Sequence, residues 1–194
     1  MKKMLEKTIQ FIYEVDKLKS IKRNTLNFHE TRVENSAEHS WHLALAVLSF
    51  QSIANVKDID IFKAVKMAIL HDIVEIDAGD NLVYNDDPTK FEREFEAAKR
   101  IFGILPKELN DHFLELWIEF EKKECPESKF VGALDRFLPL YSNILHGGHS
   151  WKEHNIPHQV ITEKNKGPVS AGSEILWKKI EELLEDFKQD LHLN

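Results

Sequence analysis

His71-Asp72-Ile73-Val74-Glu75-Ile76-Asp77-Ala78-Gly79-Asp80 follows directly on an apolar run, Ala64 to Leu70, whose only charge is Lys66. If the helix of Ile61 to Leu70 continues through this stretch, Glu75 lies four residues after His71 and three after Asp72. That spacing puts the three side chains on neighbouring positions of one helix surface. Gly79 offers the helix an end, because glycine takes a left-handed backbone conformation at little cost. Acids near a helix C-terminus oppose the helix dipole, so a compensating cation is expected. Groups able to hold a metal or move a proton therefore gather at the end of an apolar helix, and they mark a candidate site.

Outward from this stretch, the composition is that of one ordinary globular domain over residues 1–194, 42% hydrophobic and 30% charged. The formal charge of -7 argues against binding of nucleic-acid polymers through their phosphates. A single cysteine, Cys125, has no internal disulfide partner and suits a reducing compartment. No apolar run reaches the length of a signal peptide or a membrane span, so a cytoplasmic protein with no membrane partner is expected. Seven glycines and six prolines favour long helices over many tight turns.

Apolar residues at helical spacing place a first helix over residues 2–19. Residues 24–35 are polar and aperiodic and read as a loop. Ser36 is positioned to cap a helix from Ala37 to about Ala54, which is apolar nearly all round from Leu43 to Leu48 and so is expected to be buried and central. Asp58 or Asp60 starts the helix that delivers His71 and Asp72. Asp87-Pro88 opens a charged helix to about Phe102, and Pro106 begins another to Lys123. Pro126 begins a helix from Glu127 to about His146, which Pro139 should kink or re-route. A short helix after Pro157 is expected to break at Gly167-Pro168, and a last amphipathic helix to run from Ser173 to about Leu191. No strand pattern is evident; the expected fold is all-α.

Asp135 interrupts the apolar residues of 130–141, and a carboxylate in that setting needs a partner. Together with His39, His71 and Asp72 it could close one metal site. Imidazole with carboxylate suits Mn, Co, Ni, Fe or Zn, and an excess of carboxylate would favour Mg. A divalent ion held there would make a water acidic enough to attack near neutral pH. Glu75 would then orient that water or move its proton. His146, His149, His154 and His158 straddle a glycine loop and read as solvated, and Trp41 and Trp151 read as packing residues.

The order His39, His71-Asp72, Asp135 resembles the HD-domain metal-dependent phosphohydrolases. Asn35-Ser-Ala-Glu-His-Ser, His-Asp-x-x-Glu-x-x-x-Gly-Asp, Leu134-Asp-Arg-Phe-Leu-Pro and Gly147-Gly-His-Ser-Trp-Lys are similar to its 5′-deoxynucleotidase branch. The likeness covers about residues 10–165. It implies a helical HD fold, one divalent metal on His39, His71, Asp72 and Asp135, and hydrolysis of deoxynucleoside 5′-monophosphates to nucleoside and phosphate. It also implies catalytic roles for Glu75 and Asp80, with Asp80 contacting the sugar and Arg23 the phosphate of the nucleotide substrate. Asn24 follows Arg23 where the family carries an aromatic residue. Arg32 is the next candidate for the phosphate. Members of the family often form homodimers. The competing readings are a nucleotide-binding regulator without turnover, and a phosphodiesterase or triphosphatase on the same scaffold.

Overall fold

The apolar runs around Leu43 and Phe130 become the helices that carry the core. A computed structural model describes residues 1–85 and 87–190. Its helices are α1 (Lys2–Val15), α2 (Ser36–Phe50), α3 (Ile61–Leu70), α4 (Glu75–Ala78), α5 (Lys90–Phe102), α6 (Lys107–Lys122), α7 (Pro126–Leu145), α8 (His149–Glu153), α9 (His158–Gly172) and α10 (Glu174–Asp190). Short 3-10 turns cover Asp16–Ser20, Gln51–Ile53 and His71–Val74. The expected end of the last helix at Leu191 lies outside the described residues. No helix among the described residues is long and apolar enough to cross a membrane.

Helix α7 occupies the middle, packed against α9, α3, α2 and α6. Phe130, Val131, Ala133 and Leu134 on α7 are buried against a core that also holds Leu43, Val47, Met67, Phe102 and Trp117. At Gly172, where α9 crosses α7, an added Cβ would lie 2.6 Å from the Ala133 Cβ. Only glycine allows that approach. This packing also explains why α9 runs unbroken through Gly167 and Pro168, where the sequence suggested a break. Burial along α7 outweighs the local breaker. Likewise, α7 continues past Pro139 to Leu145.

The all-α expectation holds for the architecture, with one addition. Residues 24–35, expected as a loop, contribute most of a small antiparallel hairpin, β1 (Lys22–Leu26) with β2 (Val33–Asn35), paired Lys22 to Asn35 and Leu26 to Val33. Ser142 Oγ donates to the Leu26 carbonyl at 2.7 Å and His146 Nε2 donates to the Asn27 carbonyl at 2.8 Å, tying the hairpin to α7. The hairpin's buried positions include Arg23 and Glu34, whose side chains are about one tenth exposed or less. Their charge hides the alternation by which strands are recognised.

The start of α2 also differs from expectation. Asn35, not Ser36, is the cap: its side chain accepts from the Glu38 N–H at 3.0 Å, and Glu38 accepts from the Asn35 N–H at 3.0 Å. This reciprocal capping box leaves the Ser36 hydroxyl free for another partner. Helix α5 starts at Lys90, after Asp87 has closed a turn onto Thr89. Helix α2 is buried on one side only. His39, Leu43, Ala46 and Val47 face inward, whereas Trp41, Leu45 and Leu48 are exposed. The apolar residues of α1 also point outward, with Leu5, Ile9, Ile12 and Tyr13 exposed and Phe11 buried.

Candidate metal centre

Helix α3 does not continue as an α-helix through His71. It tightens into the 3-10 turn His71–Val74, followed by the single turn of α4. Side chains three apart eclipse in a 3-10 helix, which aligns Asp72 with Glu75 more closely than α-helical spacing does. The Trp117 indole N–H donates to the His71 carbonyl at 3.2 Å and fixes this turn from α6. Gly79 ends α4 at φ 73, with its N–H bonded to the Glu75 carbonyl at 2.8 Å. A side chain is disfavoured at that φ.

All seven predicted site residues meet. His39 on α2 places Nε2 2.9 Å from Asp135 Oδ1 on α7. His71 Nε2 lies 3.0 Å from Asp72 Oδ1 and 3.6 Å from the same Asp135 oxygen. His39, His71 and Asp72 each offer a ligand atom within 4.8 Å of the others, and this is the one such group among the described residues. Arg23 on β1 reaches in from the other side. Its guanidinium bonds Asp72 Oδ2 at 2.6 Å and lies 3.6 Å from Glu75, 3.7 Å from Asp80 and 3.2 Å from Glu34. Asn24 donates to Asp80 at 3.1 Å.

The donor set fits a divalent cation. The His71 ring bonds the Ala68 carbonyl at 2.9 Å through Nδ1, which must therefore carry the proton and leaves Nε2 aimed at the carboxylates. That buried Nε2 has no aligned hydrogen-bond partner. Five carboxylates, from Glu34, Asp72, Glu75, Asp80 and Asp135, surround one guanidinium and two imidazoles. Such an excess of buried negative charge calls for a cation. A ligand set of two imidazoles and two carboxylates suits a first-row divalent metal.

The protonation states follow from the same crowding. Burial would lower the His71 pKa, yet Asp72 and Asp135 hold its proton and raise it to about 10. Burial works to raise Asp72 as well, but His71 and Arg23 keep its pKa below the ordinary carboxylate range. Asp135 is depressed likewise by the two imidazoles. Glu75 goes the other way: burial and then the Asp72 charge push it up to about 8. Ser36 donates to Glu75 Oε2 at 2.5 Å and so orients the carboxyl group.

A cavity of about 140 Å³ opens beside these groups, lined by Arg23, Asp72, Glu75, Asp80, Tyr84 and Asp135 among others. Trp151 forms part of its wall, edge-on to Phe187 and bonded to the Tyr84 hydroxyl at 3.1 Å. Trp41, by contrast, is exposed and stacks on the neighbouring His42 ring at 6.0 Å. Arg32 stands outside the site, 55% exposed and paired with Glu30 and Glu38. The later histidines do not form a second metal group among the described residues; His146 instead holds the hairpin.

Sequence reasoning missed Glu34, whose carboxylate Oε1 lies 3.2 Å from both Arg23 Nε and His39 Nδ1. It also missed the contacts of Ser36 and Asn24. The capping box was legible in Asn35-x-x-Glu38 and would have released Ser36 for another role. Glu34 sits on a strand with no apolar alternation, so no pattern signalled it.

A bundle of helices with two imidazoles and two carboxylates at its centre defines a class of metal-site proteins. The HD domain family pattern matches residues 15–177, and the chain belongs to that family. It is 31% identical over 131 residues to human 5′-deoxynucleotidase HDDC2, covering 66% of this chain and 62% of that protein. Yeast 5′-deoxynucleotidase YGK1 is 27% identical over 114 residues, 55% of this chain and 51% of YGK1. The chain thus spans under two thirds of the length of these curated relatives. A crystal structure described as a predicted metal-dependent phosphohydrolase from Magnetospirillum magnetotacticum MS-1 superposes with a TM-score of 0.91 at 36% identity, covering 98% of both chains.

Proposed function

We propose that the chain is a divalent-metal-dependent phosphohydrolase that cleaves (deoxy)nucleoside 5′-monophosphates to nucleoside and phosphate. The observation that carries this reading is the convergence of His39, His71, Asp72 and Asp135 beside a buried arginine and a carboxyl group held near pKa 8. The names of the human and yeast relatives support the substrate class.

In this reading His39, His71, Asp72 and Asp135 hold one divalent ion. When bound, that ion supplies Lewis acidity toward a phosphoryl oxygen and offsets the surplus carboxylates. Arg23 faces the phosphate and steadies its negative charge. Glu75 has one oxygen occupied by Ser36, so Oε1 is the atom that takes a proton from the attacking water. A cation bound beside it would favour the ionised carboxylate, the form that can take this proton. Water adds at phosphorus, the ester bond breaks, and the proton passes to the departing 5′-oxygen of the nucleoside. In the same reading Asp80, which accepts from Asn24, accepts from a sugar hydroxyl of the nucleotide.

The whole chain would act as one HD domain in the cytoplasm, with neither a nucleic-acid polymer nor a membrane as partner. A homodimer would cover apolar side chains that the single chain leaves in water, including Trp41, Leu45 and Leu48 on α2 and Leu5, Ile9 and Ile12 on α1.

The test is a phosphate-release screen of nucleoside mono-, di- and triphosphates against Mn, Co, Ni, Fe, Zn and Mg. Metal-dependent release from 5′-monophosphates is expected. Binding of nucleotides without release under any metal would favour a regulator, and preference for triphosphates would change the substrate class.

A further inference from the structure

A second cavity, about 280 Å³ and so larger than the first, adjoins the metal donors. The two share Asp72, Glu75, Lys90, Asp135 and Arg136, so they meet at the reacting centre. Beyond that shared mouth the second cavity is lined by Lys123, Lys129, Glu94 and Glu121. Four cationic side chains, Lys90, Lys123, Lys129 and Arg136, thus face three acids that the metal donor set does not use, Glu75, Glu94 and Glu121.

Two of these cations, Lys123 and Arg136, are poorly matched. Lys90 lies 3.6 Å from Glu94, a loose pair, and burial pushes Glu94 up to about 7, which weakens its counter-charge. The Lys123 ammonium sits over the Phe120 ring at 2.7 Å with no carboxylate of the described residues in ion-pair range, and burial pushes it down to about 8. Arg136 has no hydrogen bond or ion pair among the described residues. A half-buried guanidinium without a partner is costly, and an anionic ligand is the group that would complete it.

We propose that this second cavity binds a tetrahedral phosphate oxyanion, held by Arg136, Lys123 and Lys90 beside the metal donors. The inference rests on the phosphohydrolase reading and extends it. Two sources share this chemistry: orthophosphate freed by monoester hydrolysis, or the distal phosphate of a longer nucleotide. A planar guanidinium with two ammonium groups matches the oxygens of either. With the nucleoside in the first cavity, the second gives the freed phosphate a separate place.

The experiment is calorimetric titration of the metal-loaded full chain with orthophosphate and, separately, pyrophosphate. Wild type is compared with Arg136→Met and Lys123→Asn. Lys123 has φ 51, a conformation asparagine tolerates, so this variant should keep the fold if Arg136→Met does not. Orthophosphate affinity about tenfold weaker in the variants supports the site with freed phosphate as its ligand. A loss confined to pyrophosphate supports the site with a distal phosphate as its ligand. Equal affinities in all three proteins, or no binding of either anion to wild type, overturn it. Binding needs no turnover, so the two claims fail separately. Arg136-dependent binding without nucleotide hydrolysis would sink the enzyme reading alone, and hydrolysis with Arg136-independent binding would sink this site alone.

Discussion

Arg23 and Asp72, 49 residues apart in sequence, meet at 2.6 Å and join the β-hairpin to the turn that carries His71 and Asp72, two of the candidate metal donors. The arginine also lies within 3.7 Å of Glu34, Glu75 and Asp80. It is therefore a structural counter-charge as well as the proposed phosphate contact. Arg23→Ala would leave several buried carboxylates without their cation. Removing one partner of a buried pair costs about 3–5 kcal/mol, and urea denaturation should show a loss of that order. The Michaelis constant for a nucleotide should rise in the same variant. Unchanged stability would mean that the carboxylates find another partner.

His71→Ala or Asp135→Ala should abolish stoichiometric metal in elemental analysis of the purified protein. The donors come from α2, α7 and the turn after α3, so a bound ion ties three parts of the core together. Metal added to wild type should raise its melting temperature, and neither variant should respond. Full metal content in both variants would place the ion elsewhere.

In the metal-free protein, stability should fall as pH rises from 6 to 8. Glu75 is raised from an ordinary 4.5 to about 8, so the folded state holds its proton more tightly. That contribution is complete below about 4.5 and is lost as pH climbs through 8. His71, raised from 6.5 to about 10, loses its own contribution over a higher window that begins near 6.5. Asp72, depressed below its usual range, contributes throughout this interval and gives no slope. Urea midpoints at pH 6 and 8 in the presence of a chelator measure the fall. Glu75→Gln, permanently neutral, should make it smaller, and an equal fall would contradict the assignment.

Gly172→Ala should destabilise the chain by about 1–3 kcal/mol, because the added methyl group meets α7 at Ala133 and at the Lys129 carbonyl. Thermal denaturation checks this. A neutral substitution would mean that α9 shifts away from α7 at little cost.

Much of the centre was legible because its donors sit at the ends or interruptions of apolar helices. His71-Asp72 closes an apolar run and Asp135 breaks one, and charge in such places needs a reason. The hairpin was not legible. Its buried positions carry Arg23 and Glu34, so the partner of each charge is another charge from a distant segment, and no local pattern records it. The outward apolar face of α1 shows a related limit. Helical spacing places Leu5, Ile9 and Ile12 on one face but does not say whether that face meets this chain's core or another surface. At Pro168 the local signal was overruled by packing of α9 on α7.

The central claim is that this centre hydrolyses a phosphate ester with Glu75 moving the proton of the attacking water. Turnover of a deoxynucleoside 5′-monophosphate and its affinity, measured on the same metal-loaded preparations of wild type and Glu75→Gln, test it most directly. The amide keeps the shape of the side chain and removes its capacity to take a proton. The account predicts a loss of roughly 10²- to 10⁴-fold in turnover, with metal content and nucleotide affinity retained. Near-normal turnover in Glu75→Gln, or none in the metal-loaded wild type, would contradict it.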